Sequence, residues 1–272
     1  SEPAAGLPDE HEGYAGVLRT LHPRAEPRPS AGLAAQLFCA GPDERALLRD
    51  VLEAGAAVAA GVIRLDGDAP FWERTLHPAD ALWSALHGVD AWPAALSRGD
   101  GPAAAAGLED WLATPEADHA LRALASGRPW TVLVTADTDE LAAERGAALA
   151  AAAGRASIRV TLASPPDAGA ERLVSVHATA RGAVPVLRLL PPEGPGAAHA
   201  PVLERHPGPA VVCAQAGNVV VRGARAVVEV PAPRLTTAAR QAMWRALLPE
   251  APDAAPGLAA RYTVEPAVAH AA

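Results

Sequence analysis

The sequence predicts an α/β protein, with a small helical unit ahead of a domain built on a mainly parallel sheet. Three observations carry this expectation. From Trp130 onwards, short β-rich apolar runs alternate with helical segments, the pattern of strands buried on both faces and joined by crossovers. Before them, residues 42–88 read as helix, short strand, tight turn and helix. Between the two, Asp100-Gly101-Pro102 and the alanine run Ala103–Ala106 read as a linker. The predicted divisions are a flexible Pro-rich tail over 1–30, a helical unit over 31–100, an α/β domain over 105–235 and further helices over 236–272.

Taken in order, the tail carries Pro3, Pro8, Pro23, Pro27 and Pro29, with room for one short helix around Tyr14–Leu21. Gly41-Pro42-Asp43-Glu44 is a helix start, with proline at the first position and acids facing the positive end of the dipole. Leu47, Leu48, Val51, Leu52 and Val58 continue it at helical spacing. Gly61–Leu65 reads as a strand turned by Asp66-Gly67-Asp68, and Pro78 as the opening of a helix that carries Leu82, Trp83 and Leu86 and stops at Gly88. This order is winged-helix-like, although many small α/β units share it. Leu108–Leu112 and Pro115–Ala125 read as helices broken at Thr114-Pro115. Strands are predicted over Trp130–Val134, Ile158–Leu162, Val184–Leu190, Ala210–Ala214 and Ala226–Val230, with helices over Leu141–Ala153 and near Ala170–Ala180.

The second half of the chain resembles an AAA+ ATPase domain, one branch of the P-loop NTPase fold. The resemblance covers about residues 125–272. It rests on strand, loop, helix and strand, then Ala210-Val211-Val212-Cys213-Ala214, then Arg225–Pro233 running into Thr237–Pro249, which is similar to the passage from an AAA+ core into its helical lid. Leu258–Ala272 looks like the start of the lid helices, and the Ala-rich close of the chain reads as a cut within a longer protein. A winged-helix-like front end before a degenerate AAA+ module resembles certain bacterial two-module ATPases, some of which accompany contractile injection systems. There an intact module follows, so ATP and Mg²⁺ would belong to that later part of the parent protein and no cofactor to this segment.

The departures from a working site are chemical. A P-loop needs glycines for close backbone approach, a lysine on the β/γ-phosphates and a Ser/Thr on Mg²⁺. The corresponding stretch here is Thr135-Ala136-Asp137-Thr138-Asp139-Glu140, with no glycine, no lysine and three carboxylates. At ~4 Å and an effective dielectric near ~20, each like-charge contact with a phosphate costs about 4 kcal/mol. The strand expected to end in Mg²⁺-holding acids, Val184–Leu190, has none. Gln215 or Asn218 could fill the polar position after the Ala210–Ala214 strand. Arg222 and Arg225 fall where such domains can place arginines near a neighbour's nucleotide, though surface arginines beside a strand are the default.

Composition narrows the alternatives. All 23 basic residues are arginine, so no Schiff-base lysine, Ser–Lys pair or P-loop lysine exists. A net charge of −8 disfavours a nucleic-acid binder, which needs a basic surface to release counterions. Cys39 and Cys213 stand far apart beside apolar residues and read as buried thiols of a cytoplasmic protein, with no membrane association. The nine histidines form no H-E-x-x-H or C-x-x-C grouping, and no G-x-S-x-G or G-x-G-x-x-G follows a strand, so no catalytic residue and no metal site is assigned. Glu109-Asp110 and Glu116/Asp118 are explained by the dipole at helix starts. Trp72, Trp83 and Trp92 form a candidate partner-facing patch, core packing being the other reading. The expected function is recruitment or ring assembly through protein–protein contacts. Its rivals are a winged-helix regulator of nucleic acid and an α/β enzyme of unrecognised type.

Overall fold

The structure, a computed structural model, describes residues 12–94, 96–98, 106–163, 167–192, 194, 196–217 and 219–271. The tail before Glu12, the linker reading at Asp100–Ala105, Pro165-Pro166 and Asn218 lie outside the described residues. Two compact units are present: residues up to Ala94 together with Ser175–Arg181, and the remainder.

In the first unit the chain forms α1 (Glu12–Leu21), α2 (Ala31–Phe38), α3 (Pro42–Ala54), α4 (Ala56–Ala59), β1 (Ile63–Asp66), β2 (Thr75–Pro78) and α5 (Leu82–Leu86). The Ser30 hydroxyl caps α2 by accepting from Leu33 N at 3.1 Å, and α3 starts at Pro42 with Asp43 and Glu44 in its first turn. A small core gathers Ala31, Leu52 and Phe71, with Leu48, Leu65, Trp72 and Leu76 packed against it. Pro78 does not open a helix as the sequence predicts. It ends β2, which pairs antiparallel with β1 from Asp66↔Thr75 to Ile63↔Pro78. The strand is held from its other side by Leu76 N donating to Pro29 O at 2.8 Å and by a bridge between Ser30 and Thr75, long-range partners no local pattern reveals.

The second unit is an α/β domain whose parallel sheet is flanked by helices, a layout of the Rossmann or P-loop kind. It contains β3 (Ser97–Arg98), α6 (Glu109–Leu112), α7 (Pro115–Ala125), β4 (Trp130–Ala136), α8 (Asp139–Ala152), β5 (Ser157–Leu162), the first half of α9 (Ala168–Ala180), β6 (Val184–Leu189), β7 (Ala198–His199), β8 (Ala210–Gln215), β9 (Val219–Val220), β10 (Ala226–Pro231), α10 (Thr237–Leu247), α11 (Ala255–Arg261) and α12 (Pro266–Ala271). The main sheet runs β10-β4-β8-β6-β5-β3, with the first five strands parallel and β3 antiparallel at the edge.

Register decides which residues meet α8. Val132 is level with Val228 and Val211, and Val186 with Val211, so Val132, Val134, Val186, Val211, Cys213, Val228 and Val230 share one face. They form the main core with Leu141, Ala142, Leu149 and Ala150 of α8 and Ala117, Ala120 and Leu124 of α7. On the opposite face Leu133, Leu187, Leu189 and Val212 are also buried. The helix α8 lies close to β8 because Gly146 has no side chain. A Cβ there would come within 2.5 Å of Cys213 Sγ and 2.9 Å of Val211 Cγ1. A second small core of Leu108, Ala148, Leu235, Met243 and Ala269 seats the C-terminal helices α10–α12.

Candidate functional site

In open parallel sheets, ligands sit beyond the carboxyl ends of the strands where the strand order reverses direction. That point here is the end of β4: the chain leaves it for β5 on one side, while β10 closes the sheet on the other. The connection at this point is short. The strand β4 ends at Ala136 and α8 begins at Asp139, so only Asp137 and Thr138 lie between. A phosphate-wrapping G-x-x-x-x-G-K-[ST] loop needs several more residues with glycine freedom. The connection is also tied down on both sides. Ala232 N donates to Thr135 O and Ala216 N to Ala136 O, each at 2.7 Å.

The first turn of α8 is filled by its own chain. Thr138 caps the helix, its Oγ1 accepting from Leu141 N at 3.2 Å. Asp139 and Glu140 follow in the first turn, where the dipole favours negative charge. Register with Cys213 turns Arg188 of β6 onto the α8 face, directly under this turn. Arg188 Nε donates to Asp139 Oδ2 at 2.6 Å, and an NH2 hydrogen goes to Glu140 Oε1. The Asp139 pair is well shielded, with side-chain exposures of 30% for Arg188 and 11% for Asp139. Asp137 is met by Arg234 at 2.9 Å, a fully solvated pair that adds little stability.

Thus the arginine absent from the acidic stretch is supplied by the strand expected to carry acids. The like-charge cost argued for bare carboxylates is correspondingly smaller, because Arg188 and Arg234 already neutralise two or three of them. The obstacle to a phosphate is occupancy: the helix terminus holds carboxylates and the nearest cation is spent on them. One turn further along α8, burial raises the Glu144 carboxyl above its ordinary value, opposed by Arg145 and Arg159 and reinforced by Glu265 and Glu140.

The other sequence candidates lie elsewhere. Arg225 uses all five N–H donors inside the chain: Nε to Thr131 Oγ1, NH1 to the carbonyls of Leu203 and His206, and NH2 to those of Trp130 and Gly208, at 2.6–3.3 Å. It staples the 203–208 segment to the start of β4 and has no donor left for a partner. Arg222 is exposed, and so is Gln215 at the end of β8. In the first unit Trp72, Trp83 and Trp92 are all half-buried. Trp72 packs edge-on against Phe71 at 4.8 Å, Trp83 against His87 at 4.6 Å, and Trp92 lies 3.8 Å from the Arg181 guanidinium carbon while its Nε1 donates to Asp90. The exposed apolar side chains of this unit are different ones, led by Phe38, Leu37 and Leu47 at 77%, 68% and 65%.

Histidines 22, 177 and 206 are interior. Burial, followed by the Arg225 charge, drives His206 down to about 4, so the ring is neutral and its Nε2 donates to Pro209 O. Cys213 is fully buried, whereas Cys39 is partly exposed. Among the described residues no three His, Cys, Asp or Glu side chains gather as metal ligands would, and no helix is long and apolar enough to cross a membrane. Two partners escaped the sequence reading. The signal for Arg188 was a lone charge in an otherwise apolar buried strand. Arg145 offered a weaker one, being a charge on an alanine-rich helix. Compared with protein-family models, curated proteins and solved structures, the chain matches none.

Proposed function

We propose that this chain is the non-catalytic N-terminal part of an AAA+-type ATPase, of the kind that accompanies contractile injection systems. A winged-helix-like unit precedes a degenerate nucleotide module and the start of a helical lid. Its task is recruitment or ring assembly through protein–protein contacts, while a later module of the parent protein binds Mg-ATP and hydrolyses it. One observation carries the reading. The β4–α8 turn keeps the position of a phosphate site in a parallel α/β sheet, yet Asp139, Glu140 and Arg188 occupy it with an ion-pair cluster of their own. A module that has exchanged its phosphate ligands for internal ion pairs retains its shape and loses its chemistry.

The contact role draws support from the first unit. Side chains that would otherwise seek a core, Leu37, Phe38, Leu47, Val51, Tyr14 and Val17, are each about half exposed or more. Phe38 stands out as one of only two phenylalanines in the sequence. Sedimentation velocity over the micromolar range, with and without Mg-ATP, tests the proposal. The chain should associate with rising concentration to the same extent in both conditions, and Phe38→Ser should weaken association without altering the melting temperature. A monomer at every concentration, or assembly only when Mg-ATP is present, would overturn it.

A further inference from the structure

The C-terminal helices sit on a small core of five buried residues, two of them alanines, with partly buried Trp111, Leu112, Trp244 and Leu247 packed against it. Beside it lies a side chain that belongs in water. Arg145 of α8 is 1% exposed, its Nε has no hydrogen-bond partner, and the Trp111 ring lies 5.8 Å from its guanidinium carbon. Its counter-ion is Glu265, the residue just before α12, whose Oε2 accepts from Arg145 NH2. The other oxygen of that carboxylate accepts from Leu235 N at 3.3 Å, where the chain leaves β10 for α10. One carboxylate therefore joins α8, the exit from the sheet and the last helix.

From this arrangement we infer that Glu265 on Arg145 is a charge-gated latch, holding residues 237–271 on the α/β domain as a unit that releases separately. The inference stands on the ion pair and the small core, and does not depend on the proposed function. Docked and paired, the guanidinium is compensated. With the carboxylate neutralised or withdrawn, the docked state would keep a buried cation without its ion-pair partner, Glu144 being the remaining acid near it, which is unfavourable. Undocking rehydrates Arg145 at the expense of the small core, the side chains packed around it and the Leu235 hydrogen bond. The strands, held by the larger core of the sheet, have no part in that exchange. The gate is thus the charge on Glu265, and the moving part is the helical segment.

Hydrogen exchange read by mass spectrometry tests this on the whole chain. In Glu265→Gln the amides of 237–271 should exchange at least tenfold faster than in the parent, while β4 and β8 keep their protection. The double variant Arg145→Met/Glu265→Met removes cation and anion together, and should return 237–271 to slow exchange. If Glu265→Gln does not fold, Glu265→Asp reads the same segment, since it keeps the charge but draws it back by one methylene. Faster exchange confined to 237–271 is again the expected result. Unchanged exchange in the segment, acceleration spread equally over the sheet, or a double variant as open as Glu265→Gln would each overturn the latch.

Discussion

His206 and Arg225 lie within one loop system, and each answers the other's electrostatics. Arg225 has no acid partner: five neutral oxygens surround its guanidinium, and burial lowers its affinity for the proton. Burial first, and then the charge of Arg225, keep His206 neutral and hold it down to about 4. The sign of the pH effect follows. Between the ordinary histidine value and about 4, the unfolded chain takes up a proton that the folded chain refuses. Stability is therefore fully present above pH 6.5 and drains away as pH falls, by about 3 kcal/mol at this one site. His177, whose affinity burial also lowers, acts in the same direction. Urea midpoints at neutral pH and near pH 4 should show His206→Gln losing about 3 kcal/mol less over that interval than the parent. Equal losses in the two proteins would place His206 in a hydrated setting.

At the scale of elements, strands β4, β5, β6, β8 and β10 all fall within two residues of where apolar runs place them, as do α7, α8 and α9. These elements are legible because each is bounded by residues whose preferences are local: Thr114-Pro115 before α7, Gly127 before β4 and Gly154 after α8. What was not legible depends on partners distant in the chain. The strand β2 exists because Pro29 and Ser30 pair with it. Arg188 could be read as a lone charge, but its acceptors are 48 and 49 positions away. Gly146 looked like one small residue among many in an alanine-rich helix. It is where α8 meets β8, and Gly146→Ala would push a methyl into Cys213 Sγ. Overpacking of this kind costs about 1–3 kcal/mol, against roughly 1 kcal/mol gained in helix propensity. Gly146→Ala should lower the urea midpoint, and adding Cys213→Ala, which removes the nearer obstruction and leaves Val211 Cγ1, should restore part of it. Additive effects of the two substitutions would mean that helix and strand are not in contact there.

For the molecule as a whole, the absence of lysine takes on a specific meaning. At the β4–α8 turn the cations are both arginine: Arg188, two strands away on β6, holds Asp139 and Glu140, and Arg234 meets Asp137. On the proposed reading, a net charge of −8 and the paired acids at the sheet's carboxyl edge would turn a triphosphate away, and exposed Leu37, Phe38 and Leu47 on the first unit would offer surface to other proteins. On the proposed reading, the place after β4 where a phosphate would sit is filled by the protein's own ion pairs. Isothermal titration calorimetry of Mg-ATP into the chain tests it most directly. No heat beyond dilution is expected at any accessible concentration; a micromolar Kd would overturn the reading.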